Sequence, residues 1–285
     1  MQNRRPALAL GLLAVLLAAC GGTSAGQPPA PSPTGGLPAD QDALVLQMRS
    51  AGGLMAPDYE FRDLPRISVY ADGRVIVEAA TREVHPGSLL PPLVEGRISA
   101  EQIGELLGAA SAAGLVSGID ASHPSHGVFD APATTFVTWS PGGLTRTSFG
   151  ALGIGREPED PAEAAAREKA VDFLPRLVEL AESVGSEPYV PGAIRLAIRP
   201  YTVTDPAYVR DPVPWPLDRS LASAGAPIID GSPEAGRCVV VTGDDPDTLW
   251  PVLAAADGTT PFVSDGERFA LVVRPLLPDE PPVCR

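Results

Sequence analysis

The chain has 285 residues and a mass of 29.5 kDa, which allows one large domain or two of ordinary size. Hydrophobic residues make up 44% and charged residues 20%, so the composition excludes disorder throughout the chain. With 21 Lys and Arg against 35 Asp and Glu, the formal net charge of -14 argues against nucleic acid and anionic lipid headgroups as partners.

The amino terminus has the pattern of a lipoprotein signal peptide over residues 1–19. Residues 1–5 are positively charged and residues 7–19 form an apolar run, which is shorter than the roughly 20 residues that span a bilayer. The run ends in Leu17-Ala18-Ala19-Cys20-Gly21, which fits a lipobox. We expect cleavage before Cys20 and lipidation of its thiol and amine, with palmitate among the acyl chains. The alternative is a plain secretory signal with an incidental cysteine.

Residues 20–40 form a predicted linker. After Cys20 the sequence is GGTSAGQPPAPSPTGGLPAD, which contains almost no aliphatic or aromatic side chains. Such a segment cannot bury enough apolar surface to offset the entropy lost on ordering. We therefore expect a flexible Pro/Gly/Ser tether between the lipid and the folded part.

Strands and hairpins dominate the predicted domain at residues 41–186. Asp72-Gly73 lies between two alternating segments, and this turn pair is typical of a β-hairpin. A second hairpin is expected around Ser140-Pro141-Gly142-Gly143. The strands predicted by these patterns are residues 43–49, 67–70, 74–78, 134–139 and 145–149.

Two helices are predicted in the same domain. Ser99-Ala100-Glu101-Gln102 is a capping box and opens a helix that ends at Gly114. Asp160-Pro161 opens a second helix, which ends near Gly185. We expect Pro175 to kink this second helix. Proline-rich residues 86–92 lie before the first helix as a loop.

The predicted C-terminal domain covers residues 187–285. It begins with a strand at 193–199, followed by a proline-rich loop at 200–216 and a buried strand at 238–242. Asp245-Pro246-Asp247 opens a third helix, and Asp265-Gly266 forms the turn of a third hairpin. These patterns together predict an α+β fold of antiparallel β-hairpins packed with a few α-helices, in two small subdomains.

Three cysteines are present, and Cys20 is assigned to lipid. Cys238 and Cys284 remain as an even pair in a chain predicted to be exported, so we expect them to form a disulfide. Such a bond stabilises the fold by about 4 kcal/mol on the loop-entropy model. The alternative is two buried thiols, and no Cys-x-x-Cys spacing favours a redox-active pair.

Candidate metal ligands are limited to one short segment. In His123-Pro124-Ser125-His126, two imidazoles near Asp120 and Asp130 have the chemistry to bind zinc or copper. The proline disfavours the helical spacing that would bring His123 and His126 together, so a solvated loop is the alternative. No cofactor is expected, and no catalytic residue can be assigned from the sequence.

One aromatic side chain is a candidate binding contact. Trp215 lies in Asp211-Pro212-Val213-Pro214-Trp215-Pro216, where the prolines stiffen the loop. A stiff loop that presents an aromatic ring is a reasonable contact for a partner. The alternative is that Trp215 packs against the core, which is also the expectation for Trp139 and Trp250.

The chain resembles a group of actinobacterial lipoproteins with no assigned activity. The resemblance rests on the lipobox and on four short motifs, Gly52-Gly53, Tyr70-Ala71-Asp72-Gly73, Asp130-Ala131-Pro132 and Arg274-Pro275-Leu276-Leu277-Pro278. It implies a lipid-anchored protein of this general build, and no enzymatic activity or site residue comes with it.

Two functional hypotheses follow from these patterns. The first is a non-enzymatic protein held by the lipid on Cys20 at the outer, extracytoplasmic face of the cell membrane. It would bind an envelope protein or a small ligand through the loops at 86–92 or 200–216. The second is a secreted hydrolase or metal-binding protein that uses an unpatterned carboxylate pair or His123 and His126.

Overall fold

The computed structural model describes residues 36–80, 84–123, 130–154, 158, 160–185, 187–203, 205–228 and 236–284. The chain divides into two units, 1–32 and 33–285, and every described residue belongs to the second. Among the described residues, two β-sheets and four α-helices form an α+β fold, as the sequence predicts. Within the same residues, no helix has both the length and the apolar composition needed to cross a membrane.

The first sheet has eight strands in the order β5-β7-β6-β1-β2-β3-β4-β8. Neighbouring strands are antiparallel, except that β5 runs parallel to β7. The strands are β1 Leu44–Ala51, β2 Ile67–Tyr70, β3 Arg74–Glu78, β4 Leu93–Arg97, β5 Asp120–Ala121, β6 Ala133–Ser140, β7 Gly143–Gly150 and β8 Glu187–Pro188.

The first two predicted hairpins are confirmed as β2–β3 and β6–β7. The β2–β3 turn requires its glycine, since Gly73 has a φ of +89°. A Cβ at this position would lie 2.3 Å from the carbonyl oxygen of Ile98. The turn and the end of β4 are therefore packed too closely for any other residue.

Two helices, α2 at Ala100–Ala112 and α3 at Pro161–Ser183, cover the core of this sheet. The capping box is confirmed: Ser99 Oγ accepts from the Gln102 amide at 3.2 Å, and the Ser99 amide donates to Gln102 Oε1 at 2.8 Å. At the start of α3, Asp160 Oδ1 accepts from the amide of Ala162 at 2.9 Å. The helix continues through Pro175 to its end at Ser183, and the kink expected at Pro175 stays a prediction.

The second sheet has six strands in the order β10-β13-β14-β9-β12-β11, with β10 parallel to β13. It contains the third predicted hairpin, β13–β14. Its core includes Leu249 and Leu253 of helix α4 at Asp245–Ala254. The strands are β9 Ile194–Pro200, β10 Val213–Pro214, β11 Ala226–Pro227, β12 Arg237–Val241, β13 Phe262–Ser264 and β14 Glu267–Pro275.

The segment after β14 connects the two sheets. Tyr189 Oη donates to the carbonyl oxygen of Leu276 at 2.9 Å, and Tyr70 Oη of β2 donates to Asp279 Oδ1 at 2.7 Å. The segment ends at Cys284, whose disulfide to Cys238 of β12 is present with a Cα–Cα distance of 5.9 Å. The predicted division into domains at 41–186 and 187–285 stays a prediction, and the strands change sheet between Pro188 and Ile194.

Candidate functional site

A cavity of about 680 Å³ lies beside the first sheet and is lined by residues between Ser50 and Pro92. We call it the junction cavity. It is bordered by the end of β1, by the short helix α1 at Pro57–Arg62, and by the connection between β3 and β4. Its polar lining includes Tyr59, Arg62, Asp63, Arg66 and Glu78. Its apolar lining includes Met55, Leu64, Val84, Leu90, Pro91 and Pro92.

One wall of the junction cavity is the proline-rich segment at residues 84–92, which we call the cavity loop. The side chain of Leu89 is buried in the core of the second sheet, and its amide donates to the carbonyl oxygen of Ala256 at 3.2 Å. At the other end, the carbonyl oxygen of Pro92 accepts from the amide of Ala79 at 2.8 Å, next to β3. The cavity loop thus packs against the second sheet through Leu89 and returns to the first sheet at Pro92.

Asp257, just after α4, fixes the turn on which the cavity loop rests. Its Oδ1 accepts from the Thr259 amide at 2.9 Å and from the hydroxyls of Thr259 and Thr260 at 2.8 and 3.1 Å. Its Oδ2 accepts from Arg210 Nε at 2.7 Å. Burial alone would raise the pKa of Asp257, but these hydrogen bonds outweigh it and hold the pKa at about 2. The carboxylate is therefore ionised at neutral pH.

The opposite wall, α1, is held by arginines from the second sheet. The guanidinium of Arg195 on β9 lies 4.8 Å from the centroid of the Phe61 ring, and its Nη2 donates to the Phe61 carbonyl oxygen at 3.2 Å. Arg199 of the same strand forms an ion pair with Asp58. Arg274 Nε of β14 donates to the carbonyl oxygen of Asp63 at 3.1 Å, directly after α1. Both walls of the cavity are thereby tied to the second sheet.

The charged groups that line the cavity are mostly neutralised by ion pairs. Asp63 is paired with Arg49, and Arg66 is paired with Glu78. Arg62 is different, because no hydrogen bond or ion pair joins it to another described residue and its Nε is buried. Burial lowers the pKa of Arg62, and the charge of Asp58 partly opposes this effect. The guanidinium remains protonated at any physiological pH, so the cavity lining has one positive charge without an ion pair to a described residue.

A second, more apolar depression of about 510 Å³ lies on the first sheet and α2. We call it the Trp139 groove. It is lined by Gly36, Leu37, Gly104, Leu107 and Trp139 among others, and Trp139 Nε1 donates to the carbonyl oxygen of Gly36 at 2.6 Å. Trp139, expected in a core or interface, thus forms one wall of a groove at the start of the described chain.

The described site residues that the sequence selected, His123, Trp215, Cys238 and Cys284, do not line the junction cavity. Cys20 and His126 are outside the described residues. His123 is exposed, and its Nδ1 lies 3.1 Å from Ser122 Oγ. Within the described ranges, no group of three or more His, Cys, Asp or Glu is placed to hold a metal ion. The metal hypothesis for His123 and His126 stays a prediction.

Trp215 packs against the core of the second sheet. Its ring meets Phe262 edge-on, with centroids 6.3 Å apart, and its Nε1 donates to the carbonyl oxygen of Arg219 at 2.9 Å. The expected loop at 200–216 also contains a short 3₁₀ helix at Pro206–Tyr208 and the strand β10. These contacts fit the packing alternative, while a partner contact at Trp215 stays a prediction.

Of the two walls of the cavity, the sequence indicated the loop at 86–92 but not helix α1. The loop at 86–92, one of the two predicted binding loops, forms part of the cavity loop. Arg62 and α1 were not predicted, although Pro57 followed by Asp58 and Glu60 is a helix-start signal. The chain as a whole has no match among protein-family models, curated proteins or solved structures.

Proposed function

We propose that this protein is anchored by lipid at the outer face of the cell membrane and binds a small ligand in the junction cavity without chemical turnover. The main evidence for a binding role is the cavity itself. Its two walls are the cavity loop and α1, and each wall is held in place by its own set of contacts. Its volume of about 680 Å³ lies within the usual range for ligand sites.

Two features support the extracytoplasmic location. The first is the lipobox around Cys20, which follows the apolar run at residues 7–19. The second is the disulfide between Cys238 and Cys284, because structural disulfides persist in oxidising compartments and are rare in the cytosol. The two features are independent, since one depends on the leader and the other on the fold.

The position of the cavity also favours a binding role. Ligand sites occur preferentially at interfaces between structural units, and both walls of this cavity contact the second sheet. The junction cavity combines apolar side chains with a few polar groups, and three of these, Asp63, Arg66 and Glu78, are held by ion pairs. Fixed walls reduce the entropy that a ligand-binding site loses on complex formation.

The binding role is tested by filling the cavity mouth. Ser88 lines the cavity and is exposed, and no described hydrogen bond depends on its side chain. We expect Ser88→Trp to abolish saturable binding of the probes phenylacetate and 2-phenylethanol, because the indole occupies the space that they need. Ligand-observed NMR titration of the full chain in lipid nanodiscs, with empty nanodiscs subtracted, measures this binding.

The matched control is Leu144→Trp, which adds the same ring to an exposed position on β7 and should leave binding unchanged. Binding of either probe that survives Ser88→Trp and is lost on Leu144→Trp would contradict the proposed site. Absence of saturable binding in the wild-type protein would contradict it as well.

A further inference from the structure

We infer that the ligand of the junction cavity is an amphipathic monoanion, a small molecule with one carboxylate that Arg62 receives and an apolar body that the cavity loop covers. This inference rests on the proposed binding function and names its ligand class. It follows from three properties of the cavity: its unmatched charge, the geometry of that charge and the composition of the walls.

The charge argument depends on the pairing of the lining residues. Glu78 and Asp63 are the lining carboxylates, and each already has an arginine partner. Arg62 has no such partner among the described residues. A partly buried guanidinium without an ion pair loses hydration that no described residue fully replaces, because the nearby charge of Asp58 is shared with Arg199 and offsets the loss only in part. A bound carboxylate supplies the missing counter-charge, whereas a cation would add a second uncompensated charge.

The geometry of guanidinium favours an oxyanion over a halide or a neutral ligand. Arginine presents its N–H donors in a planar fork that matches the two oxygens of a carboxylate. The Nε of Arg62 is buried and has no hydrogen-bond acceptor among the described residues. Since Arg62 lines the cavity, a carboxylate there can accept from its guanidinium without displacing an ion pair to another described residue.

The apolar residues of the lining determine what the rest of the ligand, apart from its carboxylate, must be like. Met55, Leu64, Leu90, Pro91 and Pro92 surround the polar groups and offer apolar contact to an uncharged body. A second negative charge on the ligand would find no second unpaired arginine in the described lining, because Arg66 is already paired with Glu78. The walls thus select one anionic group joined to an apolar portion and disfavour dianions such as phosphate monoesters.

The test compares probes of similar shape and different charge: phenylacetate, 2-phenylethanol, 2-phenylethylamine and the dianion phenylmalonate. Each is titrated by ligand-observed NMR against the full chain in nanodiscs. We expect phenylacetate to bind at least about tenfold more tightly than the other three, since hydrogen bonds to charged groups contribute about 1.5–3 kcal/mol.

Arg62→Gln should weaken the binding of phenylacetate at least about tenfold and leave the affinity for 2-phenylethanol unchanged. Arg62→Lys should keep part of the affinity, because it keeps the charge and loses the planar fork. The control Arg97→Gln removes an exposed arginine of β4 that pairs with Asp72 outside the cavity, and it should have no effect. Unchanged thermal unfolding of Arg62→Gln would show that the fold is intact, as expected for a side chain without hydrogen bonds to the described residues.

The outcomes separate the ligand class from the binding function. Equal binding of phenylacetate and 2-phenylethanol, or phenylacetate binding that survives both Arg62 substitutions unchanged, would overturn the monoanion inference while the cavity remains a binding site. If Ser88→Trp leaves the binding of every probe unchanged, the probes occupy another surface such as the Trp139 groove, and both proposals are overturned.

Discussion

Asp257 accepts hydrogen bonds from Arg210, Thr259 and Thr260 and supports the turn to which the cavity loop is attached. The amide of Gly258 donates to the carbonyl oxygen of Gly87 at 2.9 Å, and Ser88 forms a β-bridge with Asp257. One carboxylate therefore connects the end of α4 to the wall of the junction cavity.

We predict that Asp257→Asn lowers the free energy of unfolding by about 1 kcal/mol at neutral pH, because the amide cannot accept from all of these donors. The pKa of Asp257 in the folded protein, about 2, lies below its ordinary value of 3.8. The carboxylate therefore stabilises the fold fully above pH 3.8, and this contribution is lost as the pH falls through about 2.

The measurement is urea unfolding of the wild-type protein and Asp257→Asn between pH 7 and pH 2. The difference between the two should be constant down to about pH 4 and then shrink. The control is Asp218→Asn, at an exposed aspartate. A difference that grows as the pH falls would contradict the account of Asp257.

At the level of single residues, local signals were predictable and tertiary ones were not. The capping box of Ser99 and Gln102 depends on positions three residues apart, so the sequence contains both partners. Arg62 lines the cavity without an ion pair to another described residue, and that depends on which carboxylates Arg49, Arg66 and Arg199 reach in the folded chain.

The secondary-structure elements differ in whether their glycines can be replaced by a residue with a side chain. Gly73 closes the β2–β3 hairpin with a positive φ and lies against the backbone of Ile98. Gly104, in the middle of α2, has ordinary helical geometry, and a Cβ there would meet no atom within 4 Å. The same substitution should therefore have opposite effects at these two positions.

We predict that Gly73→Ala destabilises the protein by at least about 2 kcal/mol, because alanine in the left-handed region is strained and its Cβ overlaps the Ile98 carbonyl. Gly104→Ala should stabilise it by about 0.5–1 kcal/mol, because glycine in a helix retains more freedom in the unfolded chain. Urea midpoints of the two variants provide the measurement. Destabilisation by both variants to the same extent would refute this assignment of α2 and the hairpin.

At the level of elements, hairpins and helices with local signals matched their predictions closely. The three predicted hairpins and the three predicted helices are present within a few residues of their expected ends. The parallel pairs β5–β7 and β10–β13 were not predicted, because each joins short segments that are distant in sequence. Helix α1 was missed because its six residues are too few to show a periodic pattern.

For the whole molecule, the sequence predicts the α+β build and the disulfide, and both are present. The junction cavity was not predictable, since it requires the cavity loop of one sheet to pack on the core of the other. The sequence marks the loop at 86–92 as a binding candidate only by its proline content. Placing the cavity required the tertiary contacts of Leu89 and α1.

The location of the whole protein depends on residues 1–35, which lie outside the described part of the chain. Lipidation of Cys20 would place the acidic domain outside the cytosol, where Cys238 and Cys284 can oxidise. A chain that kept its leader and three free thiols would be a cytosolic or misprocessed protein, and an envelope ligand would have no access to the cavity.

Intact mass spectrometry of the chain extracted from membranes under non-reducing conditions tests the central claim of a lipid-anchored, exported protein most directly. We predict the mass of residues 20–285 with a diacylglyceryl group on the Cys20 thiol and an acyl chain on its amine, and without the two thiol hydrogens of Cys238 and Cys284. The matched control, Cys20→Ala, should lack the lipid mass and leave the membrane fraction. The mass of all 285 residues, unmodified and with three free thiols, would contradict the account.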